Sequence, residues 1–172
     1  MGNYTHTTTD AWAWTQAKPQ DVPDIVQLVD TNYSQEIEGV IFKKNPTRLH
    51  YHLHKAIIDQ LYGLTTQNIS IARDKETQKL LAWAWVERGK FTVYSDDEMA
   101  VAEFVHVDLA LPLRTKITLI AQTLEIWIAW CELNKIPVLC STSIREDQSG
   151  FMKLHDQFGF MRRGSFAYRK IS

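Results

Sequence analysis

Apolar positions along the chain recur at two spacings, and the points where one gives way to the other divide it into elements. Alternation comes first. Ala11 to Lys18 sets Trp12 and Trp14 on one face of a predicted strand, which Pro19 to Pro23 ends. Helical spacing follows from about Asp24 to Tyr33, and then in a helix with both ends marked. Asn45 is suited to cap its free N–H groups, Pro46 to its first turn, and Gly63 to its stop, with Leu49, Leu53, Ile57 and Leu61 as the buried stripe. Period two returns at Ile69 to Asp74 and Leu80 to Glu87, a hairpin across the charged turn Lys75 to Lys79.

Beyond an acidic loop at Asp96, Asp97 and Glu98, Ala100 to Leu109 reads as another strand, and Pro112 leads out of it. The longest helix runs from about Thr115 to Leu133. Its apolar face comprises Ile117, Ile120, Ala121, Leu124, Trp127, Ile128 and Cys131, while Lys116, Thr118, Gln122, Thr123 and Glu125 tend away from it. Asn134 and Pro137 end it, and Val138 to Ser143 returns as a strand, so that a right-handed crossover between parallel neighbours is implied. Ala-Trp-Ala-Trp occurs at 11 to 14 and again at 82 to 85. Tryptophans two apart on a strand share a face, and burial under helices accounts for them more simply than a ligand cage.

The last stretch holds a short helix and its stop. Phe151, Leu154, His155 and Phe158 share one helix face, so His155 points inward among apolar neighbours, while Lys153, Asp156 and Gln157 are solvated. Gly159 ends the helix by taking positive φ, and Phe160 begins an extended run that turns near Arg163-Gly164 and returns through Phe166 and Tyr168.

Composition narrows the function classes. A chain of 172 residues suits one domain, residues 11 to 172, behind a threonine-rich arm, residues 1 to 10. Nineteen basic and twenty acidic side chains leave almost no net charge, which argues against nucleic acid or an anionic membrane as partner. The start lacks the features of a signal peptide, and no apolar run is long enough to span a bilayer. Cys131 and Cys140 have neither metal-ligand nor disulfide-framework spacing and read as reduced core thiols, as in a cytoplasmic protein.

The terminal helix ending in Gly159-Phe160, and the element order from residue 11 to 171, resemble the GNAT superfamily of acyl-CoA-dependent N-acyltransferases. The resemblance implies an α/β (α+β) fold: a mixed, mostly antiparallel sheet flanked by helices, with a central parallel strand-helix-strand unit. It also implies acetyl-CoA as acyl donor and an amine, on a small molecule or a protein, as acceptor. In that family a tyrosine four residues before the glycine protonates the departing thiolate. Here that position is His155, which also reads as a core histidine satisfied by neighbouring backbone.

The family binds the CoA pyrophosphate on a glycine-bearing loop at the start of the long helix, where free N–H groups and the helix dipole favour anions. The matching stretch is Arg114, Thr115, Lys116, Ile117, Thr118 and Leu119, a degenerate version with Ile117 and Leu119 at the glycine positions. Backbone donors on the strand ending near Leu109 are expected to polarise the thioester. Glu103, eleven residues before Arg114, matches the family's general base and reads equally as a surface carboxylate. Glu103, Val105 and Val107 are expected on one strand face, with Phe104, His106 and Asp108 on the other, where His106 and Asp108 form a candidate oriented imidazole. His50 and His54 lie one helical turn apart, but no HExxH motif or further ligand accompanies them, so no metal is expected. The alternative to an enzyme is a GNAT-fold binding or structural module that has lost CoA chemistry, such as a bacteriophage virion component or an inhibitor of a host protein. The run Arg163 to Lys170 carries the bacteriophage resemblance.

Overall fold

The computed structural model describes residues 10–36, 43–63, 65–143, 148–164 and 169. Its elements in chain order are β1 (Trp12–Gln16), a 3-10 turn (Pro19–Asp21), α1 (Val22–Glu36), α2 (Pro46–Leu61), β2 (Gln67–Asp74), β3 (Leu80–Thr92), β4 (Ser95–Val107), α3 (Leu113–Leu133), β5 (Val138–Cys140) and α4 (Ser149–Gln157). The five strands lie side by side in sequence order, antiparallel except for the parallel pair β4 and β5. The mixed sheet and its parallel strand-helix-strand unit are those expected from the sequence. All but one residue of the expected arm, and the returning strand through Phe166 and Tyr168, lie outside the described residues, as does most of the run Arg163 to Lys170. No strand is present over 160–164.

The Ala-Trp alternation divides the core between the two sheet faces. On β3, Trp83 and Trp85 pack with Ile25, Leu53, Ile57 and Ile69 under α1 and α2, while Ala84 and Val86 pack with Leu124, Trp127 and Cys131 of α3. Small residues there let α3 approach the sheet closely. Trp12 and Trp14 of β1 cover the α3 side instead, beside Ala72, Ala82 and Leu119. Both indole N–H groups donate to Gln122 Oε1, at 2.9 and 2.8 Å, so Gln122 faces the sheet rather than tending away from it.

Leu61, Thr123, Ile117 and the acidic residues 96 to 98 lie otherwise than expected. Gln60, not Leu61, completes the buried stripe of α2: its side chain bonds Ile69 of the adjacent strand through both N–H and C=O, while Leu61 is half exposed. On α3, Thr123 is buried and bonds back to the Leu119 carbonyl, and Ile117 is exposed. The acidic residues 96 to 98 are part of β4, because the β3–β4 ladder continues to Thr92 and Ser95. Arg88 clasps Glu98 through both carboxylate oxygens, which holds the Glu98 pKa below the usual range.

Candidate functional site

Strands β4 and β5 pair only from Met99 with Val138 to Val101 with Cys140. Beyond that point they part, while β4 stays paired to β3. Among the described residues no strand lies beside the edge of β4 past Val101, and its outward backbone groups face a gap, a wedge between the two strands. That gap is a cavity of about 180 Å³ with β4 residues 102–107 on one wall and Ser141, Thr142 and Ser143 on the other. Trp127, whose buried indole N–H has no partner, also lines it.

A β-bulge places Glu103 at the mouth of this gap. Trp85 pairs with Phe104 while Val86 pairs with Ala102, so Glu103 is the extra residue on β4. The bulge breaks the expected alternation: Ala102 packs toward α3, and Phe104, two residues on, stacks against Trp83 on the α1 and α2 side. Glu103 consequently does not share a plain face with Val105 and Val107. Together with Phe104, Val29 and Tyr33 it lines both the wedge and a second cavity of about 420 Å³, bounded by α1, the start of α2 and Trp85. Partial burial is the main cause that raises the Glu103 pKa, helped by the charge of Glu87 and opposed by Lys90. The carboxyl is nonetheless solvent-accessible, so protons can leave it.

His106 and Asp108 do not form a dyad. The Trp83 indole donates to His106 Nδ1 at 3.2 Å, and Lys79 takes Asp108 at 2.5 Å. Burial opposes ionisation of Asp108, but Lys79, the Ala110 N–H and the charge of Lys116 together lower its pKa. The strand's i, i+2 spacing brought the two residues to one region without contact.

His155 is fully buried, as the helix face predicts. Its Nδ1 lies 2.9 Å from the Phe151 carbonyl and its Nε2 2.8 Å from Ser141 Oγ. A carbonyl only accepts, so Nδ1 carries the proton and Nε2 accepts from the serine hydroxyl. Phe151 and Phe160 pack edge-on against the ring, at centroid distances of 4.4 and 4.8 Å. Burial lowers the His155 pKa, against the opposing pull of the Phe151 carbonyl and Asp156. In this arrangement both ring nitrogens of His155 are engaged, one by Phe151 and one by Ser141. Ser141, which the sequence reading missed, stands between the ring and the wedge. Nothing in the spacing distinguishes it from an ordinary loop serine.

The entrance of α3 also differs from the expected stretch. The helix begins at Leu113 after Pro112, so the N–H groups left free in its first turn are those of Leu113, Arg114 and Thr115; that of Lys116 already bonds the Pro112 carbonyl. Arg114 is exposed. Lys116 Nζ donates to the Leu109 carbonyl at 3.2 Å and ties the helix start to the end of the β4 segment, while the Thr118 hydroxyl bonds back to the Arg114 carbonyl at 3.0 Å. Leu119 is wholly buried in the core and Ile117 sits on the outer surface, both beyond the first turn. The Leu119 side chain is thus taken up by the core and the Thr118 hydroxyl by the helix backbone.

His50 and His54 stack on the exposed face of α2 with ring centroids 6.4 Å apart. His52 lines the second cavity. Among the described residues no three His, Cys, Asp or Glu side chains are grouped to hold a metal ion. In the same residues no helix is long and apolar enough to cross a membrane.

No protein-family model and no curated protein sequence matches the chain. Solved structures match it over nearly its whole length. Glucosamine-6-phosphate N-acetyltransferase from Arabidopsis thaliana superposes with a TM-score of 0.64 at 13% identity, covering 94% of this chain and 99% of that one. Ribosomal-protein-alanine N-acetyltransferase from Brucella melitensis gives 0.63 at 12%, covering 94% and 100%. An aminoglycoside 6'-N-acetyltransferase from Acinetobacter baumannii gives 0.63 at 13%, covering 94% and 98%. The chain has the fold of these N-acetyltransferases, at identities where only the fold carries over.

Proposed function

We propose, from the GNAT fold shared with those acetyltransferases, that this protein transfers an acetyl group from acetyl-CoA to a primary amine. The observation that supports this most is the wedge: two parallel strands part beside a carboxyl group raised by burial, at the meeting point of two cavities. A wedge of this kind offers an extended acyl donor one strand edge to lie along. Backbone N–H groups on that edge are the donors available to the thioester carbonyl as negative charge develops on it.

The first turn of α3 fits the pyrophosphate of the donor. Leu113, Arg114 and Thr115 supply free N–H groups, the helix dipole favours the negative charge, and the exposed Arg114 guanidinium adds a charge-assisted donor. The second cavity suits the acceptor. Val26, Leu49, Trp85 and Phe104 form its apolar side, Asp30, Lys43, Lys44 and Arg48 its charged side, and Glu103 borders it. There Glu103 takes a proton from the ammonium form of the amine and releases it to solvent. A raised pKa brings its basicity closer to that task at neutral pH. Acetyl-CoA dependence and two free thiols accord with a cytoplasmic protein.

The test is amine-dependent release of CoA thiol from acetyl-CoA, followed with a thiol reagent across small amines, amino acids, amino sugars and peptide N-termini. Turnover that saturates in an amine supports the reading. Acetyl-CoA consumption that no amine accelerates, with the cofactor shown to bind, rejects it and leaves a binding module.

A further inference from the structure

Acetylating a primary ammonium leaves two N–H hydrogens to dispose of. One goes to solvent through Glu103, and the other must end on the CoA sulfur. We propose that Ser141 and His155 form the relay that carries this second proton from the amine nitrogen to the sulfur, an inference that rests on the acetyltransferase reading.

The geometry defines which way each group faces. Phe151 O holds the proton of His155 on Nδ1, so the Nε2 lone pair receives the Ser141 hydroxyl hydrogen at 2.8 Å. The serine hydrogen is turned back toward the ring, which leaves the oxygen lone pairs as acceptors on the wedge wall that Ser141 lines. Glu103 is on the opposite wall of the same cavity. His155 is thus a buried base connected to the cavity through one hydroxyl.

When the amine nitrogen bonds to the thioester carbon, its surplus proton passes to Ser141 Oγ as the serine's own hydrogen passes to His155 Nε2. The imidazolium so formed keeps its Nδ1–H on the Phe151 carbonyl. As the C–S bond breaks, its electron pair leaves on sulfur, Ser141 protonates that sulfur, and His155 returns the proton to Ser141. Both side chains end as they began, and no co-reactant is consumed. Ser141 is the catalytic residue of this pair because it meets the reacting atoms; His155 acts through it.

Three measurements test the relay. Ser141→Ala should lower kcat about a hundredfold with the KM for acetyl-CoA nearly unchanged, and Ser141→Thr, which keeps the hydroxyl, should recover most of the loss. Nitrogen-15 NMR of histidine-labelled protein should find His155 with Nδ1 protonated and Nε2 bare. A Ser141→Ala enzyme at full kcat overturns the relay while leaving the acetyltransferase reading intact, and the opposite tautomer overturns the relay whatever the activity. A wild-type protein that neither binds nor turns over acetyl-CoA overturns both.

Discussion

Protonation of His155 should be coupled to unfolding, and its size follows from the burial of the ring. The imidazole is 0% exposed, both nitrogens are hydrogen-bonded, and its pKa is lowered chiefly by burial. In the unfolded chain the same group titrates near pH 6.5. Below that pH the unfolded state binds a proton that the folded state resists, so stability is complete above about pH 6.5 and falls as the pH drops. Between pH 7.5 and 5.5, the loss through this one group reaches at most about 1.4 kcal/mol, the limit set by a folded state that stays neutral. His155→Gln places a neutral amide in the same space and removes the titration. Urea unfolding of both proteins at the two pH values isolates the effect, because all other groups cancel in the difference. With an m-value of about 1.5–3 kcal/mol/M, the wild-type midpoint should fall further than that of the variant, by up to roughly 0.5–1 M. Equal falls in the two proteins would mean that folded His155 titrates freely, and would refute both its burial and its bond to Ser141.

Glu103→Gln should lower kcat by about 10²- to 10³-fold without changing thermal stability, and should abolish the rise of kcat/KM with pH through the Glu103 pKa. That pKa is raised, so the base is lost at a higher pH than for an ordinary glutamate as the solution is acidified; initial rates from pH 5 to 8 check it. Arg114→Ala should weaken acetyl-CoA binding about tenfold by calorimetry, whereas Ile117→Ala, on the outer surface beyond the first turn, should leave it unchanged. Cys131 should resist alkylation at pH 8 in the folded protein. Its thiol is buried and its pKa is pushed up to about 11, so under about 1% is thiolate; mass spectrometry after iodoacetamide treatment reads it directly.

The helices and the sheet were legible because each rests on a long repeat of apolar positions, as with Leu124, Trp127 and Cys131 on α3 or the Ala-Trp alternation of β3. The inward turn of His155 was legible for the same reason. The site was less so, because it depends on local departures from periodicity. A single extra residue at Glu103 moves Ala102 and Phe104 to opposite faces, and no i, i+2 count detects it. A helix start two residues earlier than expected puts Leu113, Arg114 and Thr115 in the first turn and carries Ile117, Thr118 and Leu119, the later part of the expected stretch, beyond it. Ser141 acquires its significance only from His155, fourteen residues later in the chain and 2.8 Å away in space.

The central claim is that the wedge between β4 and β5, with the first turn of α3, holds an acyl-CoA. Thermal unfolding of the protein with increasing acetyl-CoA tests it most directly, since a ligand at a hundred times its dissociation constant stabilises the fold by about 2.7 kcal/mol. A saturable rise in Tm, reduced in Arg114→Ala, is the predicted result. An unfolding curve that does not move at millimolar acetyl-CoA would contradict it.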